Sequence, residues 1–464
     1  MNADGTDPTP GQSPAPASSA DTSDGGAASG VGGAGSADGA PHPLRYGGFR
    51  AYLIGRFSMT LALNALMLII GWQVYNLARE TLSIKQGAFV LGLVGLVQFV
   101  PLFLLTPITG WVADRFDRRL VARITLSALL ALALALALLT RSGHISLPLL
   151  FVFAATIGVL RAFSGPAMSA LSPNLVPRAS LPTAIALSSI AWQSGSIVGP
   201  GLGGLLLGVH PAAAYFACAA LLAVAVMAFL VIGPVPQPAM ARDVHPIRQM
   251  VDGLRYVREN RMVLATITLD LFAVLVAGAP ALLPVFARDI LHVGPQGLGM
   301  LAAAPATGAA AMALLFSIRP LKRNVGLWML GAVVVFGAST ILFGLSRWFP
   351  LSIGALVVVG ASDMISVYVR QSLIQLHTPD AMRGRVSSVS KLTVSASNEL
   401  GEAESGFLAA LIGPMPAVVL GGVGAIAITL MWARLFPELA LAKSFDPPNM
   451  HKDTHAHPAQ ERQL

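Results

Sequence analysis

Apolar residues come in twelve long blocks along the 464-residue chain, and polar residues collect in the short gaps between them. The blocks run approximately 50–77, 88–112, 120–140, 146–171, 183–208, 211–232, 262–286, 296–317, 325–345, 350–376, 385–412 and 416–436. Each is close to or above the ~20 residues that a helix needs to cross bilayer hydrocarbon. The spacing therefore predicts an all-α membrane protein with twelve transmembrane helices. The one long gap, 233–261, opens with Pro234, Pro236 and Pro238 and continues as HPIRQMVDGLRYVREN. That second part is basic and amphipathic, and is expected to lie along the membrane surface. Six spans on each side of it suggest an N-terminal bundle over 45–232 and a C-terminal bundle over 262–436, with tails at 1–44 and 437–464.

Composition narrows the class. With 55% hydrophobic and only 11% charged residues, the chain resembles neither a disordered protein nor an ordinary soluble globule. The net charge of +8 resides in short loops without interleaved aromatics, which argues for charge orientation in a membrane and against nucleic acid. A single cysteine, Cys218, excludes an internal disulfide or a Cys-rich metal site. Residues 1–44 are mostly Gly, Ala, Ser, Pro and Asp with no Lys or Arg before Arg45, so a disordered tail is expected, without the basic start and apolar core of a cleaved signal peptide. His451, His455 and His457 stand irregularly in a polar tail and make no metal motif. No metal or cofactor is expected. An enzyme is not expected either, for there is no deep histidine, clustered cysteine or phosphate-binding glycine loop.

Counting cations orients the spans. With both termini inside, 22 of the thirty Lys and Arg fall on the inner side, five (Arg79, Lys85, Arg141, Arg288, Arg347) on the outer side, and Arg56, Arg161 and Arg370 within spans. That bias places both termini in the cytoplasm. Spacing also reveals a repeat. An offset of 204 carries Arg115, Arg118 and Arg119 onto Arg319, Lys322 and Arg323, with Asp114 falling on Ile318. An offset of 202 aligns Pro177 with Pro379 and Gly199 with Gly401, as two related halves require.

Three motifs stand out. GWVADRFDRR, Gly110–Arg119, joins spans two and three, and its arginines and aspartates must sit at the membrane surface. The form Gly-x-x-x-Asp-Arg-x-x-Arg-Arg resembles the signature loop of the major facilitator superfamily, with Asp117 where that superfamily more often has Gly. The variant DRxDRR looks like the branch containing the enterobactin exporter and related drug-efflux proteins. GSIVGPGLGG, Gly195–Gly204, matches Gly-x-x-x-Gly-Pro-x-x-Gly-Gly, which the superfamily's exporters carry on helix 5. Gly195, Gly199, Pro200, Gly203 and Gly204 there allow close approach and bending, and a plain close-packing face is the competing reading. GVLRAFSGPA resembles the helix 4 motif Arg-x-x-Gln-Gly, with Ser164 in place of Gln. The resemblance implies a part in proton coupling for Arg161, and a structural ion pair is its alternative.

The ionisable residues inside spans fall in a restricted set: Arg56 in span one, Arg161 in four, Asp270 in seven, Asp363 and Arg370 in ten, and Glu399, Glu402 and Glu404 in eleven. Each needs a partner or water, so spans one, four, seven and ten are expected to share a hydrated interior. The offset of 202 places Arg161 on Asp363, which predicts communication between them across that interior, directly or through Arg370. Glu399 and Glu402, three apart, share a helical face, and two close carboxylates suit proton binding and release. Partners such as Asn398, cytoplasmic arginines or helix ends are the competing reading for these acids.

Two pseudo-symmetric six-helix bundles of the major facilitator fold are expected on this basis. The resemblance further implies a proton-coupled exporter, a monomer in a bacterial-type inner membrane, with a small-molecule substrate, protons and lipid as its partners. Arg161, Asp270, Asp363, Arg370, Glu399 and Glu402 are the expected coupling residues. Gly110, Asp114, Arg115, Arg118 and Arg119 form the expected cytoplasmic gate. Apolar walls favour an amphipathic substrate, with Asn64, Trp72, Gln73, Gln98 and Trp192 as candidate contacts. An importer of the same fold, or a receptor or scaffold, is the alternative.

Overall fold

The long apolar blocks become helices because nothing in hydrocarbon except the chain itself can satisfy backbone N–H and C=O groups. The computed structural model describes residues 41–234 and 246–445. The tail before residue 41, Pro236, Pro238, the C-terminal histidines and the side chains of Gly110 and Asp114 lie outside the description. In chain order the helices are α1 (Gly47–Ala78), α2 (Ile84–Arg115), α3 (Arg118–Arg141), α4 (Leu147–Leu171), α5 (Leu181–Val209) and α6 (Pro211–Val231). There follow α7 (Pro246–Glu259), α8 (Arg261–Val276), the single turn α9 (Leu283–Val285), α10 (Gly294–Ile318) and α11 (Val325–Leu345). The chain then continues through α12 (Phe349–Leu376), α13 (Asp380–Ile412), α14 (Pro414–Leu435) and the short α15 (Pro437–Ala440).

Ten of these elements are long and apolar enough to cross a membrane. α5 and α13 fall short in hydropathy, because Gly, Ser and Pro dilute the first and Glu399, Glu402 and Glu404 the second. Both instead pack lengthwise between other helices, α5 on α1 and α10, and α13 on α2 and α8. Low hydropathy and interior position go together: small residues permit close contact, and acids avoid lipid.

Helix pairings repeat with an offset of six spans. In the first half α1 meets α5 and α6, α3 meets α6, and α4 meets α2 and α3. In the second, α8 meets α13 and α14, α11 meets α14, and α12 meets α10 and α11. The halves join along two equivalent seams, α5 on α10 and α2 on α13. The arrangement is that of two related helix bundles about a pseudo-two-fold axis.

One expectation changes. Span seven is not one continuous helix: α8 stops at Val276, and the chain passes through a 3-10 turn (Ala279–Leu282) and α9 into a π turn at Phe286–Ile290. Pro280 and Pro284 remove backbone donors there, and a Cβ on Gly278 would collide with the Gly401 carbonyl of α13. The basic stretch after the linker forms α7, which docks on α13. Asp252 pairs with Arg385 at 3.2 Å, and the Tyr256 hydroxyl donates to the His377 carbonyl at 2.6 Å.

Candidate functional site

Glycines set the closeness of both seams. In α5, a Cβ on Gly195 would lie 2.9 Å from Thr60 Cβ, and one on Gly199 would lie 2.7 Å from the Leu61 carbonyl oxygen, both on α1. Gly203 abuts Ala65, so three glycines of the motif serve the fit inside the first half. Gly204 faces the other way. A Cβ there would sit 2.6 Å from Gly299 Cα and 2.6 Å from the Pro295 carbonyl oxygen of α10, in the other half. Gly406 of α13, 202 positions on, makes the equivalent contact with Gly92 of α2. The repeat therefore places one glycine-on-glycine contact in each seam.

Both contacts lie toward the end of the molecule where α2 and α10 begin and α5 and α13 finish. At that end Phe89 packs edge-on against Phe407 at 5.0 Å, and Lys85 donates to the Leu411 carbonyl at 3.0 Å. The broken span seven delivers two further charges there. Asp289 accepts from the Tyr75 hydroxyl and from Arg79 Nε at 3.3 Å, and Arg288 donates to the Asn76 carboxamide oxygen at 2.5 Å. Five side chains thus tie the end of α1 to the π turn across the halves. From the sequence Arg79 and Arg288 stand only as outer loop charges; the signal of the cluster is Asp289, an acid among the few outer cations.

Asp289→Asn should loosen this end. It removes the charge that holds Arg79 and Tyr75, and increased labelling of an Asn76→Cys reporter by an impermeant maleimide, in a Cys218→Ser background, would show it. Unchanged labelling would mean that the glycine seams close the end unaided.

Deeper in the bundle, the coupling candidates sort into two groups. Arg161 on α4 donates from Nη1 to Glu399 Oε1 on α13 at 3.1 Å, joining the two halves near mid-span. Its pseudo-symmetric counterpart Asp363 is not its partner. Neither does Arg370 bridge them, because Arg370 pairs with Asp270 inside the second half, both nearly fully buried. The expected Arg161–Asp363 link is thereby replaced by Arg161–Glu399, since α13 brings one of its acids within reach of α4. Asp363 has no hydrogen-bond or ion-pair partner among the described residues, and with Asp270, Ser362 and Ser366 it lines a cavity of about 10 Å³ between α8, α11 and α12, the scale of one water. Glu402 sits one turn from Glu399 and also lacks a hydrogen-bond partner among the described residues. Gly95 of α2 makes room for it, since a Cβ at Gly95 would be 3.4 Å from Glu402 Oε2.

The signature loop acts first within its own half. Asp117 caps α3 by accepting from Arg119 N at 2.9 Å, which explains an acid where Gly is more usual. The side-chain hydrogen bond from Arg119, 2.6 Å, holds the Asp117 carboxyl below its ordinary range. That contribution is present at neutral pH and is lost as pH falls through the carboxyl's lowered value. Arg118 donates to the Ala170 carbonyl at the end of α4, and Arg123 to the Phe229 and Ile232 carbonyls at the end of α6. Arginines on orphan carbonyls at helix C-termini are a stable arrangement. Arg115 is exposed at the end of α2.

The predicted substrate contacts disperse. Gln73 bridges α1, α3 and α6, accepting from Tyr215 at 2.7 Å and donating to Thr140 at 3.3 Å, so it is a strut of the first bundle rather than a cavity wall. Gln98 is buried against Gly158 of α4. Asn64 bonds back to the Thr60 carbonyl and packs beside Gly199, Trp72 is half-buried against the core, and Trp192 is exposed on α5.

Residues 52–402 match the Major Facilitator Superfamily. The chain belongs to that superfamily. Among curated relatives of this major facilitator protein, the enterobactin exporter EntS of Citrobacter koseri is 28% identical over 404 residues, covering 84% of this chain and 92% of the relative. EntS of Escherichia coli (strain SMS-3-5 / SECEC) is 27% identical over 410 residues, 87% and 94% of the two chains. Solved structures of the same fold include the nucleoside transporter NupG, with TM-score 0.68, 13% identity and 84% of this chain covered against 100% of that one. A bacterial homologue of the lysosomal transporter Spinster, inward-facing and occupied, gives TM-score 0.65 at 14% identity, 84% of this chain and 97% of that one. The protein is thus a multi-pass membrane transporter of the major facilitator superfamily, similar over most of its length to enterobactin exporters, and non-enzymatic transport follows from family and fold.

Proposed function

We propose that this protein exports an amphipathic small molecule, siderophore-like or drug-like, across a bacterial inner membrane in exchange for protons, by alternating access and as a monomer with both termini in the cytoplasm. One observation carries the reading: the Arg161–Glu399 pair, mid-span and between the halves, beside Glu402, whose carboxyl has no hydrogen-bond partner among the described residues. A proton arriving at Glu399 or Glu402 changes the charge that holds the halves together at that depth, which is what coupling requires. Asp270–Arg370 and Asp363 form a second relay within the C-terminal half, where Asp363 can take a proton without first breaking an ion pair. The likeness to EntS over nearly the whole chain, and the exporter motif on α5, support export over import.

On this reading the described conformation is closed toward the outside by Gly204–Gly299, Gly92–Gly406 and the Asp289 cluster. Substrate would enter between the halves from the cytoplasm, with Asn64 and Trp192 as remaining candidate contacts. Efflux in inverted vesicles under an imposed proton gradient tests the proposal, with enterobactin and a panel of amphipathic dyes as probes. Asp363→Asn and Glu402→Gln should each lower gradient-driven uptake into the vesicles by about tenfold, about 1.4 kcal/mol in the limiting step. Wild-type rates in both variants would remove the carboxylates from the coupling route.

A further inference from the structure

One constellation plays no part in transport as described above. α10 and α11 both pack on α12 but diverge from each other, and the wedge between them is a groove of about 510 Å³ on the outer, lipid-facing side of the second half. Its walls include Met312, Leu327, Trp328, Val335, Val358 and Ile365, with Asn324 at its mouth. Trp328 and Leu327 are 50% and 58% exposed, so the groove is open along its length.

The mouth is built rigidly. Asn324 adopts the left-handed conformation with φ 55, its N–H donates to the Lys443 carbonyl at 2.7 Å, and Gly326 N donates to the Ala442 carbonyl at 3.1 Å. A Cβ on Gly326 would collide with the Leu439 carbonyl, so the C-terminal segment after α14 fixes this corner. Immediately before Asn324 stand Arg319, Lys322 and Arg323, all exposed, their side chains without a hydrogen bond or acidic partner among the described residues.

The internal repeat explains why they stand alone. The first copy of the loop contains Asp114 and Asp117, and its Arg118 and Arg119 are occupied by carbonyls and by Asp117. In the second copy the positions of those acids are Ile318 and Leu321. The second copy thus has the cations of the first with apolar residues at the positions of its acids. Among the described residues no acid answers this cluster, and at a membrane surface above an apolar groove a phospholipid headgroup supplies the matching anion.

We propose that the α10–α11 groove holds one acyl chain of an anionic phospholipid whose phosphate rests on Arg319, Lys322 and Arg323. Acyl-chain contact is apolar along Leu327, Val335 and Val358, and Trp328 lies along the chain near the interface, where its ring suits both environments. Headgroup charge supplies the selectivity, since a zwitterionic lipid leaves the three cations uncompensated.

Trp328 provides the readout. The full chain is placed in phosphatidylcholine nanodiscs doped with either phosphatidylglycerol or phosphatidylcholine brominated along the acyl chain, and the Trp328 signal is taken as the difference from Trp328→Phe. Brominated phosphatidylglycerol should reach half-maximal quenching at about tenfold lower mole fraction than brominated phosphatidylcholine. The combined variant Arg319→Ala, Lys322→Ala, Arg323→Ala should erase that preference. So should Gly331→Leu, which fills the groove at a position where an added Cβ meets nothing within 4 Å and so leaves the packing intact. Equal quenching by the two lipids in the wild type, or a preference that survives the loss of all three cations, would overturn the proposal.

Discussion

Glu399→Gln is expected to abolish the response of export to a proton gradient while leaving substrate exchange at equal pH intact. The carboxylate is mostly buried on α13, bonded at 3.1 Å to an arginine of the other half, and a neutral amide keeps its shape but loses both the charge and the proton site. Arg161→Ala should fail in the same assay for a complementary reason. It strands Glu399 near Glu402 with no cation, and the cost falls below the ~3–5 kcal/mol of a fully buried broken pair because part of Arg161 reaches solvent. The double variant Arg161→Ala/Glu399→Gln separates structure from coupling: thermal stability should return toward wild type while gradient-driven transport stays lost. Retention of full gradient response in Glu399→Gln would reduce the pair to a structural tie.

Gly204→Val should slow transport at least about tenfold without unfolding the protein. Its side chain would meet Gly299 Cα and the Pro295 carbonyl at 2.6 Å, and backbone on a packed helix cannot move aside as a flexible side chain can. The collision arises only when α5 and α10 close, so it bears on one end state of the cycle rather than on folding of either half. Ala287→Cys in a Cys218→Ser background, buried in the present state, should accordingly become accessible to an impermeant maleimide. Gly201→Val is the control within the same motif, because nothing lies within 4 Å of a Cβ there, and it should transport normally. A Gly204→Val protein as active as wild type would show that this seam need not close tightly.

These two predictions differ in how much of each was readable beforehand. Gly204 was flagged by its motif, but so were Gly195, Gly199 and Gly203, which turn out to face α1 inside the same bundle. A run of glycines reveals that a helix is approached closely; which neighbour approaches each one depends on the rotation and crossing of helices distant in sequence. Glu399 was likewise recognisable as an acid inside a span, yet the repeat offset pointed Arg161 at Asp363. Pseudo-symmetry relates positions, and it does not require equivalent positions to touch. Gln73 shows the same limit from the other side, since a polar residue in an apolar helix looks like a ligand contact until Tyr215 and Thr140 are seen to occupy it.

By itself the sequence determined the membrane-spanning helices, the two-fold repeat, the restriction of buried charge to a few spans and the family, because hydrocarbon tolerates only apolar surface and internally bonded backbone, and that constraint is local to each stretch of chain. Tertiary structure alone decided which charges pair, where span seven breaks, that Asp289 joins α1 to the π turn, and that the second loop's cations have no acid beside them among the described residues. Those outcomes depend on contacts between residues up to hundreds of positions apart, set by how twelve helices fit together rather than by the composition of any one.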